Sequence, residues 1–155
     1  MKTVLLRFQV ALLLAVSMFH VQSVVAQEQS SKAKECSKAT LSGSFGYSST
    51  GTLLDSYVPA PYAGPFGEVG RQTFDGKGNT SAIAVTSSNG NIAPVTIEGT
   101  YTVNADCTGS MTLNVSPFDS TVHAAFVIDD DGAQLRAIGT DSGLIETRVY
   151  TKQWR

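Results

Sequence analysis

Few side chains in this sequence can do chemistry, and their placement narrows what that chemistry is. Glu68 and Gln72 lie four apart in the run 66–74, where strand alternation puts both on the same side as Phe66, Gly70 and Phe74. Tyr101 takes the same inward side of another alternating run, Val95 to Val103. A carboxyl, an amide and a phenol facing an apolar interior can orient a small molecule or move a proton on it. Tyr57, Tyr62 and Phe66 belong to a long connection, 49–66, that holds three of the five prolines. Rigid aromatics on such a loop can cover a cavity or grip a ligand, or simply plug the end of the domain. Tyr57, Tyr62, Phe66, Glu68, Gln72 and Tyr101 therefore make up the candidate ligand-binding set, and no residue is assigned as catalytic.

Other chemistries lack their parts. His123 is the only histidine after residue 26, so a zinc site lacks ligands and a Ser-His-Asp triad lacks the elbow that presents its serine. His123 sits between Val122 and Ala124, which places it on an outward face. Asp129, Asp130 and Asp131 precede Gly132, but a calcium loop needs acids at alternate positions and a terminal Glu, so a turn is expected. The glycines of Asp75-Gly-Lys-Gly-Asn79 precede no helix and hold no phosphate. No metal and no cofactor are expected.

The chain has 155 residues, and its first 26 read as a cleaved signal peptide. Lys2 and Arg7 give the positive start, Val10 to Phe19 the apolar run, and Val24, Val25 and Ala26 the small-residue cleavage site. No later run is long and apolar enough to span a membrane, so the mature protein is expected to be secreted or periplasmic with no membrane span. Losing Lys2 and Arg7 moves the formal charge from -2 to -4 and leaves no basic cluster stronger than Lys32, Lys34 and Lys38. Nucleic acid is an unsuitable partner for such a surface. Cys36 and Cys107 are the only cysteines, and an oxidising compartment pairs them. The bond would tie an N-terminal segment, 27–40, to a single domain, 41–155.

The elements that position these residues are strands. The mature region holds 15 Thr, 15 Ser and 14 Gly, and apolar residues nowhere repeat at helical spacing over three turns. Turn signals at 75–79, 88–91, 104–109, 116–120, 129–132 and 141–143 separate strands near 43–50, 66–75, 80–87, 93–103, 109–116, 121–128, 134–140 and 144–153. Eight hairpin-linked strands imply an all-β, antiparallel up-and-down barrel, whose closure removes exposed edges; a two-sheet sandwich is the runner-up. Alternation puts Val95, Ile97, Tyr101, Met111, Leu113 and Val115 inside. It also puts Ile145, Thr147 and Val149 inside, with Glu146, Arg148, Tyr150 and Lys152 outside. In the strand 134–140, Leu135 and Ala137 compete with Ile138 for the core.

Four segments carry a resemblance: Gly43-Ser-Phe-Gly-Tyr47, the hairpin Gly70 to Asn79, Gly99 to Gly109 and Ile138 to Gly143. Together they resemble a group of small secreted bacterial proteins of uncharacterised role, and the implied fold is similar to calycin-type barrels, which include lipocalins, allene oxide cyclases and dirigent proteins. The lipocalin Gly-x-Trp signature has no counterpart: the first strand carries Phe45 and Tyr47, and the only Trp is Trp154.

Three functions fit this reading. A non-catalytic barrel binding a small apolar molecule at one mouth leads, because it requires no catalytic group. A cyclase or isomerase of the allene oxide cyclase or dirigent kind is the alternative, with Glu68, Gln72 or Tyr101 steering a substrate. A structural envelope or matrix protein acting through its outer surface is the third.

Overall fold

The computed structural model describes residues 35–154. The segment read as a signal peptide, and the chain up to position 34, lie outside the described residues. Eight strands follow one another: β1 (Ser42–Leu53), β2 (Gly64–Asp75), β3 (Asn79–Ser88), β4 (Asn91–Val103), β5 (Thr108–Ser116), β6 (Ser120–Asp129), β7 (Gln134–Gly139) and β8 (Leu144–Lys152). Each pairs antiparallel with the next, and β8 returns to β1, so the sheet is a closed up-and-down barrel. All eight expected strands are present, and the sandwich alternative is excluded.

Turn chemistry explains the hairpins. Asp75 accepts hydrogen bonds from the backbone N–H groups of Lys77, Gly78 and Asn79, which closes the β2–β3 turn. At the β3–β4 turn, Asn89 and Gly90 adopt positive φ, the conformation in which a two-residue hairpin matches strand twist.

The two ends of the barrel differ. One is filled by Phe45, Phe74, Tyr101, Met111 and Tyr150, all buried. Phe74 meets Phe45 and Tyr101 edge-on at centroid distances of 5.4 and 5.2 Å. Burying each such ring contributes about 1.5–3 kcal/mol. Residues 36–41 seal this end: a 3-10 turn, Lys38–Thr40, leads into buried Leu41, and Tyr101 Oη donates to the carbonyls of Lys38 and Leu41. Cys36 and Cys107 are disulfide-bonded, fastening that segment to the β4–β5 turn.

Two expectations are corrected. The face of β8 is reversed: Leu144, Glu146, Arg148 and Tyr150 are buried, while Ile145 and Val149 are 59% and 50% exposed and Thr147 is exposed. Pairing sets this choice, because Leu53 opposes Leu144 and Tyr47 opposes Tyr150, and a one-residue slip would expel both large residues. Lys152 follows the same side, its Nζ lying 5.8 Å from the Phe45 ring centroid. The long connection is also shorter than it reads, since β1 continues to Leu53 and β2 begins at Gly64, leaving 54–63. In β7, Leu135 and Ala137 take the core and Ile138 faces out.

Candidate functional site

At the other end the lumen is open. A cavity of about 540 Å³ lies beneath the loop 54–63, with Leu53, Tyr57, Val58, Tyr62, Phe66 and Leu144 around its mouth. The loop is held on both flanks. Leu54 N–H donates to the Gly143 carbonyl in the β7–β8 turn, and Asn89 Nδ2 in the β3–β4 turn donates to the Pro61 carbonyl at 2.9 Å. Gly143 has φ of 86°, and a Cβ there would fall 2.6 Å from Ser56 Oγ, so a side chain would displace the loop.

One wall and the floor are polar. Pairing places Arg148 of β8 opposite Ser49 of β1, Ser49 opposite Glu68 of β2, and Glu68 opposite Thr86 of β3. These four buried side chains form one lateral row across four adjacent strands. Glu146, two residues before Arg148, lies on the same face. Its Oε1 accepts from Arg148 Nε at 2.6 Å and from Ser49 Oγ. Glu68 Oε1 accepts from Tyr47 Oη at 2.7 Å and lies 3.5 Å from Arg148 Nη1. Gly70 makes this contact possible: Tyr47 packs across it, and a Cβ at Gly70 would stand 2.8 Å from Tyr47 Cε1. The facing wall, from β4, β5 and β6, is apolar: Val95, Val115 and Val122.

Electrostatics follow from this burial. The Glu68 carboxyl is pushed above its usual range by desolvation, partly offset by Arg148 and the Tyr47 hydrogen bond, and raised further by Glu146. Burial works against the charge on Arg148, but its oxygen neighbours Tyr150, Glu146, Glu68 and Tyr47 outweigh it and hold the guanidinium charged. Desolvation also raises the Tyr47 and Tyr57 phenols, so both stay protonated donors.

Of the candidate set, Tyr57, Tyr62, Phe66 and Glu68 line this cavity. Gln72 and Tyr101 do not: Gln72, four residues beyond Glu68 on the same face of β2, donates from Nε2 to Thr80 Oγ1, and Tyr101 braces the sealed end. Sequence reasoning missed Thr86, Glu146 and Arg148. Leu144 and Tyr150 bracket the last two in strict alternation, and an inward Glu68 calls for a cation, which together signal the true face of β8. His123 faces out, its Nδ1 2.8 Å from Asp141 Oδ1. Among the described residues no three His, Cys, Asp or Glu side chains are grouped to hold a metal ion, and no helix is long and apolar enough to cross a membrane.

No family model and no curated protein matches the chain. Solved structures match in fold. A redesigned beta barrel, b11L5F_LGL, superposes with a TM-score of 0.55 at 19% identity, covering 79% of this chain and all of that one. EF1p2_mFAP2b bound to DFHBI gives 0.52 at 14% identity, covering 74% of this chain and 94% of its own. The redesigned beta barrel mFAP1, bound to DFHBI, gives 0.50 at 16% identity, covering 74% and 97%.

Proposed function

We propose that this chain is a secreted or periplasmic binding barrel, exported by the leader that ends at Ala26, and that it holds a small, largely apolar molecule at the open mouth without transforming it. The cavity of about 540 Å³ under Tyr57 and Tyr62 carries the reading, since it has the size and mixed lining of small-molecule sites. A purely structural barrel would gain by filling that space, as the opposite end is filled. Two barrels of similar fold hold DFHBI, which supports the use of such a lumen for a ligand. The disulfide suits an oxidising compartment. The test is titration of the mature protein with the neutral fluorophore N-phenylnaphthylamine. Saturable micromolar binding, competed by other apolar molecules, supports the reading, and no binding rejects it.

A second reading, a cyclase or isomerase, draws on Glu68. A carboxyl whose pKa is raised by desolvation, set beside a cavity, is placed to exchange a proton with a bound molecule. Turnover of a reactive substrate that Glu68→Gln abolishes, with binding intact, would favour it over simple binding.

A further inference from the structure

The cavity is built from a polar wall facing an apolar one, and on the polar wall one oxygen of each carboxylate is engaged while three donor-bearing atoms are left over. Glu68 Oε1 already accepts from Tyr47, and Glu146 Oε1 accepts from both Ser49 and Arg148. By contrast Tyr57 Oη, Thr86 Oγ1 and Arg148 Nη1 are buried and make no hydrogen bond to another protein group. All three side chains line the cavity, and the Arg148 side chain is only 4% exposed. A guanidinium nitrogen can only donate, and Glu68 Oε1 at 3.5 Å is an ion-pair contact rather than a hydrogen bond, so what Nη1 lacks is an acceptor in hydrogen-bond geometry.

Charge narrows the choice. Two carboxylates, Glu68 and Glu146, share one guanidinium. An anionic ligand would add a third negative group against a cation already engaged on two sides, in a site where desolvation makes like-charge contact costly. A cationic ligand would sit beside Arg148 and leave its Nη1 without an acceptor. The apolar wall of Val95, Val115 and Val122, with Phe66 and Leu53 above, needs an apolar body against it.

We propose that the site selects an uncharged molecule with an apolar body and a carbonyl-type oxygen, seated with that oxygen toward Arg148, Thr86 and Tyr57. This rests on the binding function proposed above and adds its ligand chemistry. The polar row provides orientation, and the valine wall provides contact area.

Four probes of one shape separate the possibilities: acetylnaphthalene, ethylnaphthalene, naphthoate and naphthylmethylamine, titrated into the mature protein and followed by calorimetry. The ketone should bind about tenfold or more tightly than the hydrocarbon, the value of one matched buried hydrogen bond, and both charged probes should bind more weakly than the ketone. The variant Tyr57→Phe, Thr86→Val keeps the shape and the ion network while removing two donors, and it should cut the ketone's advantage severalfold. Equal affinity for ketone and hydrocarbon, a tighter charged probe, or an advantage untouched by the double variant each overturns this proposal while leaving the binding function standing. Failure of all four probes removes the binding function itself, and this proposal with it.

Discussion

Arg148 and Glu146, two residues apart on β8, turn to the same side of the strand and meet inside the lumen, Nε to Oε1 at 2.6 Å. Neither is more than 4% exposed. Charges so placed recover their desolvation cost only through close geometry and further hydrogen bonds, and here Ser49 and Glu68 complete the network. The network also separates the filled half of the barrel from the open half. Tyr47 and Tyr150, 5.1 Å apart, pack on its far side, and the cavity lies on its near side.

Removing the cation should therefore damage the fold more than removing the whole network. Arg148→Met leaves two buried carboxylates without a counter-charge and should cost about 3–5 kcal/mol in urea unfolding. The triple change Glu68→Gln, Glu146→Gln, Arg148→Met leaves no buried charge among the described residues and should recover most of that loss. Equal destabilisation by both variants would show that Arg148 contributes packing and not charge.

Glu68 makes a signed contribution to pH dependence. Its folded pKa lies above the ordinary 4.5, so protonation favours the native state. That contribution is complete below about pH 4.5 and is lost as pH rises through the folded value. Relative to Glu68→Gln, the wild type should lose melting temperature as pH rises above about 4.5. Asp75 acts in the opposite sense: its hydrogen bonds with Asn79, Lys77 and Gly78 hold it well below the usual carboxylate range, so its contribution is lost only as the solution becomes more acidic than its unfolded pKa, near 3.8. A difference between wild type and Glu68→Gln that does not change as pH rises above about 4.5 would contradict the desolvated setting assigned to Glu68.

The barrel is legible in the sequence because its turns are written in local chemistry. Asp75-Gly-Lys-Gly and Asn89-Gly90 need specific backbone conformations that few residues adopt, and strands between such turns have little freedom in length. The site is only half legible. Tyr57, Tyr62, Phe66 and Glu68 declare themselves by a proline-rich loop and by alternation with Phe74. β8 does not, because alternation sorts apolar from polar on the assumption that the inside is dry. Ile145 and Val149 alternate as cleanly as Leu144 and Tyr150, and the partly polar lumen reverses the usual preference. What decides is long-range: the pairing of Leu144 and Tyr150 against β1, and the need of Glu68 for a cation.

The disulfide should matter for stability and not for topology. Cys36 and Cys107 are 71 positions apart, and closing such a loop is worth roughly 4 kcal/mol on the chain-entropy model. Reduction should lower the melting temperature while the far-ultraviolet spectrum keeps its strand signature, since Tyr101 still holds the Lys38 and Leu41 carbonyls. Loss of that signature on reduction at room temperature would make the bond a condition of folding.

The mouth residues can be tested apart from the core. Tyr62 is 43% exposed and Tyr57 is half-buried, with its hydroxyl bonded to no protein group. The loop that carries them is fastened by backbone groups at Leu54, Gly143 and Pro61, which alanine at 57 and 62 leaves in place. Tyr57 packs partly against the core and Tyr62 is exposed, so the double change Tyr57→Ala, Tyr62→Ala should cost the fold only about 1–2 kcal/mol. It should also weaken N-phenylnaphthylamine at least tenfold, because both rings line the cavity mouth. Were the rings a plug completing the core, their removal would instead cost about 3–5 kcal/mol through cavity formation. Urea unfolding and dye titration on the same variant separate the two. An early-unfolding variant whose wild-type parent binds no dye would make the loop a stopper and the barrel a structural element.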